Sequence, residues 1–138
     1  MELDELSEVV ERLASKYRLY GVVLFGSRAR GDWKPWSDYD LLILAEFEAD
    51  YLDRIAEILE LLKDLKMPVE PHPYTLEEAE SMLARGNPTI VDALEEGVVL
   101  YESPELRRLK RIYEELKERG LERTTTSVKL PPRQDECA

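Results

Sequence analysis

Apolar positions recur along this chain in two rhythms. Leu3, Leu6, Val9, Val10, Leu13 and Tyr17 fall at helical spacing, so residues 3–18 read as an amphipathic helix. The next run, "YGVVLF", is short, β-branched and apolar at consecutive positions, which predicts a buried strand. "DLLIL" predicts a second strand. Asp50 is placed to cap a helix whose apolar stripe is Leu52, Ile55, Leu59, Leu62 and Leu65. "PVEPHPY" reads as a third extended segment. Its prolines, 71 and 73, are two apart, so the missing N–H donors lie on one side, as an edge strand requires.

The second half continues the alternation. Thr75 with Glu78 forms a capping box for "LEEAESMLA". Asn87 and Pro88 suit the N-cap and first position of another helix, which Gly97 ends. "VVLY" is a fourth short strand. Ser103-Pro104 then opens a last helix, with Leu106, Leu109, Ile112, Tyr113 and Leu116 on one face and Gly120 at its end. The pattern predicts an α/β fold: a single small domain over residues 1–120, with a mixed β-sheet and helices packed on one face. The last helix, 104–119, is expected to be peripheral. Residues 121–138 show no period and read as a flexible tail.

Composition narrows the class. The 138 residues are 43% hydrophobic and 36% charged, as expected of a soluble globular domain. No apolar run approaches the ~20 residues of a membrane helix, and the acidic N-terminus is unlike a signal peptide. The only cysteine, Cys137, excludes a disulfide framework, so a reducing cytoplasm is the expected setting. A formal net charge of −11 argues against a domain that grips long nucleic acid. The exception is the last helix, where Arg107, Arg108, Lys110 and Arg111 cluster. They read first as a solvated face, and otherwise as a contact for an acidic partner or a polyphosphate.

The polar stretch between the first two strands carries the candidate chemistry. Asp38 and Asp40 are two apart on a strand and so share one face. Two carboxylates this close repel unless a cation lies between them, and a hard divalent ion such as Mg²⁺ takes oxygen ligands. The alternative is a strand start whose carboxylates are solvated. Gly26-Ser27 directly follows the first buried strand. There a glycine lets a phosphate approach the backbone, and Ser27 is placed to cap a short turn through "RARG". Arg28 and Arg30 add positive charge, as phosphate contacts or as solvated side chains. Trp33 and Trp36 are placed to stack on a base, meet a partner or hold the loop's shape. Ser37 is placed to brace the strand start.

"GSRARGDWKPWSDYDL", with Gly-Ser, ten residues and Asp-x-Asp, resembles the signature of the DNA polymerase β-like nucleotidyltransferase superfamily. It is most similar to the minimal nucleotidyltransferases. "PYTLEEAESMLARGNPTIVDALEEGVVLYE" resembles a later part of the same family. The resemblance implies that Asp38 and Asp40 bind two divalent ions, Mg²⁺ or alternatively Mn²⁺. It implies that Gly26 and Ser27 hold the triphosphate of ATP, with Arg28, Arg30 and Ser37 as further nucleotide contacts. An acceptor hydroxyl then attacks the α-phosphate.

The resemblance also implies a third carboxylate on a neighbouring strand. Glu70 is the candidate, in place of the commoner aspartate; it shares a strand face with His72 and Tyr74. His72 reads as a solvent-facing residue of the edge strand or as one near the acceptor. The implied partner is a HEPN-domain toxin whose tyrosine receives AMP, with this chain as antitoxin, as a homo- or hetero-oligomer. The alternative is a weakly active or inactive fold that neutralises its partner by binding alone.

Overall fold

The two strongest apolar runs become the two central strands. The computed structural model describes residues 2–124 and 127–131. Met1, the side chains of Glu2 and Leu3, and residues 125–126 and 132–138, Cys137 among them, lie outside that description. Helix α1 (Glu2–Lys16) leads into β1 (Leu19–Phe25), and the single turn α2 (Ser27–Arg30) follows directly. A loop then enters β2 (Tyr39–Ala45). Helix α3 (Tyr51–Leu62) crosses over to β3 (Val69–Tyr74). Helices α4 (Leu76–Ala84) and α5 (Pro88–Glu96), strand β4 (Val98–Glu102) and helix α6 (Pro104–Glu118) complete the domain.

The strand order is β3-β2-β1-β4. β1 runs antiparallel to β2 and β4, while β2 and β3 are parallel, as a helical crossover demands. The sheet is therefore mixed, and β3 is an edge strand as its prolines predict. Three of the predicted side-chain caps form; Asp50 is the N-cap of α3, but its side chain makes no cap bond. Thr75 and Glu78 close a reciprocal capping box, and Asn87 and Ser103 each accept a backbone N–H at their helix starts.

The helices do not keep to one face. On one side, Leu6, Val9 and Leu13 of α1 and Ile58 of α3 cover Val22, Leu24, Leu41 and Ile43. On the other, α4, α5 and α6 cover Val23, Phe25, Leu42 and Leu44. The physical reason is in the strands. Neighbouring residues point to opposite faces, so runs apolar at every position must be covered twice. For the same reason α6 is not peripheral: Leu106, Leu109 and Tyr113 are buried in the second core.

Two further expectations shift. In α3 the buried residues are Arg54, Ile58 and Leu62, whereas Leu52 is 77% exposed. The helix is turned so that Arg54 faces inward. Its guanidinium donates to the carbonyls of Ala49 and Pro73 and to both oxygens of Glu78. The segment after Gly120 also starts differently from a free tail. Leu121 is buried, β5 (Glu122–Arg123) pairs with β6 (Val128–Lys129), and Arg123 bonds to Asp92.

Candidate functional site

The site forms where β1 ends and β2 and β3 begin. Strand register assembles it: Asp40 lies opposite Phe25 on one side and Glu70 on the other. Asp40, Glu70 and His72 point to the face that carries the second core, while Tyr39 is buried on the opposite face. His72 Nε2 lies 3.2 Å from Asp40 Oδ1, and the imidazole ring packs 5.0 Å from the Phe25 ring. One ligand atom from each of Asp40, Glu70 and His72 falls within 4.8 Å of the others.

Gly26 closes the site from below. It follows β1 with φ 77° and ψ −158°, a combination that favours glycine. A Cβ there would lie 2.4 Å from Asp40 Oδ2, so a larger residue would have to push that carboxylate aside. Gly26 is itself the N-cap of α2, and no side-chain cap bond forms. Ser27 is thus the first residue of the turn rather than its cap. Its carbonyl accepts the N–H of Gly31.

The loop between α2 and β2 is braced by the residues expected to contact a nucleotide. The Arg28 guanidinium lies 4.3 Å from the ring centres of both Trp33 and Tyr39 and donates to the Ser37 carbonyl. Ser37 Oγ accepts the Lys34 N–H at 2.9 Å. Arg30 pairs with Asp32 and reaches Glu96 of α5 at 3.0 Å. Trp33 therefore helps to hold the loop's shape, while Trp36 is 78% exposed.

Electrostatics set this corner apart. The Glu70 carboxyl is pushed up to about 7. The first cause is its hydrogen bond to Asp40; partial burial and the negative charges of Asp40 and Asp38 add to it. Carboxylates gathered without a cation hold a proton between them. Two carboxylate oxygens and an imidazole nitrogen, clustered and partly sheltered, suit a divalent cation. Asp40 and Glu70 are the carboxylates that could hold it, with the His72 imidazole beside them.

The expected set is therefore gathered in part. Asp40, Glu70 and Gly26 converge. Asp38 is exposed, one residue before β2, and is not one of the three clustered donors. The third member is His72. Half of the signal for it is in the sequence, where it shares a strand face with Glu70; the parallel pairing with the strand of Asp40 is seen only in the fold. Arg54, which ties α3 to the far end of β3, had no such signal. A hollow of about 910 Å³ at the opposite end of the sheet, bordered by Tyr17, Tyr20, Glu46 and Phe47, includes none of these residues. Donor geometry, not the size of a hollow, locates the chemistry.

The sequence profile of the nucleotidyltransferase domain family matches residues 6–101. The chain belongs to that family. Two proteins of Methanocaldococcus jannaschii, each provisionally named a protein adenylyltransferase, are similar to it. One is 45% identical over 49 residues, covering 34% of this chain and 49% of the relative. The other is 34% identical over 68 residues, covering 46% and 66%. The chain thus spans about half the length of the first relative and under two thirds of the second.

Solved structures share the fold. A toxin–antitoxin complex with AMP-PNP contains a chain that matches at TM-score 0.56 and 15% identity, over 86% of this chain and 88% of that one. A complex of a tri-AMPylated Shewanella oneidensis HEPN toxin with its MNT antitoxin matches at TM-score 0.55 and 14% identity, over 86% and 87%. A provisionally named nucleotidyltransferase from Sulfolobus solfataricus matches at TM-score 0.51 and 26% identity, over 72% and 79%. Among the described residues, no helix is long and apolar enough to cross a membrane.

Proposed function

We propose that this chain is a metal-dependent nucleotidyltransferase that moves AMP from ATP to a hydroxyl, a tyrosine of a HEPN-domain toxin, and so acts as an antitoxin. The carrying observation is the convergence of Asp40 and Glu70 against the Gly26 turn, at the end of a sheet of the nucleotidyltransferase family. The provisional names of the archaeal relatives and the toxin–antitoxin neighbours support the acceptor class.

Gly26 and Ser27 receive the triphosphate, because the glycine has no side chain to hold it away from the backbone. Arg28, Arg30 and Ser37 shape the loop that borders it. Asp40 and Glu70 hold the cation, and Asp38, at the loop's exit, adds a further carboxylate. When bound, the divalent ion supplies charge neutralisation for the phosphates and for the attacking oxygen. The new bond joins the acceptor oxygen to the α-phosphorus, the α–β bridging P–O bond breaks, and pyrophosphate leaves. The acceptor's proton passes to solvent or to a site carboxylate. The protein's share is positioning and electrostatics.

The test is transfer of labelled AMP from ATP to the cognate HEPN partner in the presence of Mg²⁺ or Mn²⁺. Wild type should label the partner. Unchanged labelling by the Asp38→Asn, Asp40→Asn double variant would sink the reading. The position of Asp38 outside the donor cluster favours one rival, a binding antitoxin with little chemistry. Full neutralisation of the toxin by the same double variant would select that rival.

A further inference from the structure

His72 is built into the site more firmly than an edge-strand histidine needs to be. Its side chain is 19% exposed and stands two residues beyond Glu70 on the same face. The Phe25 ring packs against the imidazole at a tilt of 60° and offers neither ring nitrogen a hydrogen-bond partner. Nε2 is thereby aimed at Asp40 Oδ1, 3.2 Å away. Neighbouring donors around an octahedral ion lie about 3 Å apart when each sits about 2.1 Å from it. The 3.2 Å between imidazole nitrogen and carboxylate oxygen is close to that separation.

We propose that His72 is a direct metal ligand, which makes the cation site an oxygen–oxygen–nitrogen site that prefers a first-row transition ion to Mg²⁺. This rests on the metal-dependent reading of the same site. Mg²⁺ takes oxygen donors and parts reluctantly with water, whereas imidazole nitrogen suits the first-row divalent ions. With Asp38 outside the cluster, His72 supplies the third donor beside Asp40 and Glu70. The commoner all-carboxylate arrangement would discriminate less against Mg²⁺.

Mn²⁺ alone is the probe, because bound and free ion differ in their electron paramagnetic resonance. The protein is titrated with Mn²⁺ without nucleotide, and the bound ion is examined for coupling to a ¹⁴N nucleus. Wild type should show that coupling, and His72→Ala should lose it. The Mn²⁺ Kd should weaken about tenfold in the variant, while the Mg²⁺ Kd, read by competition, changes less than twofold. Circular dichroism confirms that the variant is folded; the wild-type spectrum decides the matter even if it is not. Bound Mn²⁺ without nitrogen coupling in wild type overturns the histidine ligand and leaves the transfer reading standing, with His72 only orienting Asp40. Failure of wild type to bind either ion overturns both. Nitrogen-coupled Mn²⁺ without AMP transfer to the HEPN partner overturns the transfer reading alone.

Discussion

The two ends of strand β3 handle charge in opposite ways. At its start, Glu70 faces Asp40 with Asp38 nearby, and like charges are pressed together. Past its end, Arg54 is buried between the Pro73 carbonyl and Glu78, with every contact of opposite or neutral sign. Asp40 and Glu70 face each other through strand pairing, at a cost in the metal-free chain. Arg54 fastens α3, β3 and the start of α4 together. One strand thus has crowded carboxylates at one end and a paired, buried cation against the other.

That contrast can be broken most sharply at Asp40. Asp40→Asn should lower AMP transfer by about 10²–10³-fold or more, read by labelled-nucleotide assay. The thermal midpoint of the metal-free variant should change little, since the repulsion that is lost is offset by the lost carboxylate contacts to Glu70 and His72. A large fall in the midpoint would mean that Asp40 is structural. The opposite result is expected at the other end. Arg54→Met should cost about 2–4 kcal/mol in denaturant unfolding, the lower part of that range reflecting the half-exposed side of Glu78. Folded Arg54→Met at low temperature should still transfer AMP.

Smaller effects refine the picture. Gly26→Ala should cost about 1–3 kcal/mol from its backbone conformation, and it should also displace Asp40 and lower transfer. Gly31→Ala is the control. It too has a positive φ, yet a Cβ there meets nothing within 4 Å. It should cost about 1 kcal/mol of stability and leave the Asp40 carboxylate in place.

The smallest effect is with pH. Glu70 rises from an ordinary 4.5 to about 7, so the metal-free fold binds a proton that the unfolded chain has released. That contribution is fully present below about 4.5 and is lost as pH rises through about 7. Glu70→Gln should flatten this part of a stability–pH curve. An equal slope in the variant would place the proton elsewhere.

Much of this architecture is legible in the sequence because it is local. The four strands, the Thr75–Glu78 box and the Asn87 and Ser103 caps depend on neighbours within a few residues. The edge position of β3 follows from where its two prolines put their missing donors. What was misread depends on distant partners. α3 turns to bury Arg54 because acceptors wait on β3 and α4, and no helical period encodes them. Helices cover both faces because β1 and β2 are apolar at every position, a signal present in the runs but read as if only one face needed covering. At the site, Asp40 stood out from its spacing to Asp38 and Gly26, and Glu70 from the third carboxylate that the family resemblance implies. His72 required the parallel register of β2 and β3. Asp38 lies before the ladder begins, so strand pairing does not fix its side chain in the cluster.

The prolines of β3 have one more consequence. Pro71 and Pro73 leave the outer edge of the sheet short of donors beside Glu70 and His72, and the Pro73 carbonyl is already taken by Arg54. A foreign strand cannot zip onto that border, whether from an aggregating neighbour or from a partner. Under the transfer reading, an acceptor reaches this corner without adding a strand to that border. The strand that helps to build the site thus also limits how a partner can meet it.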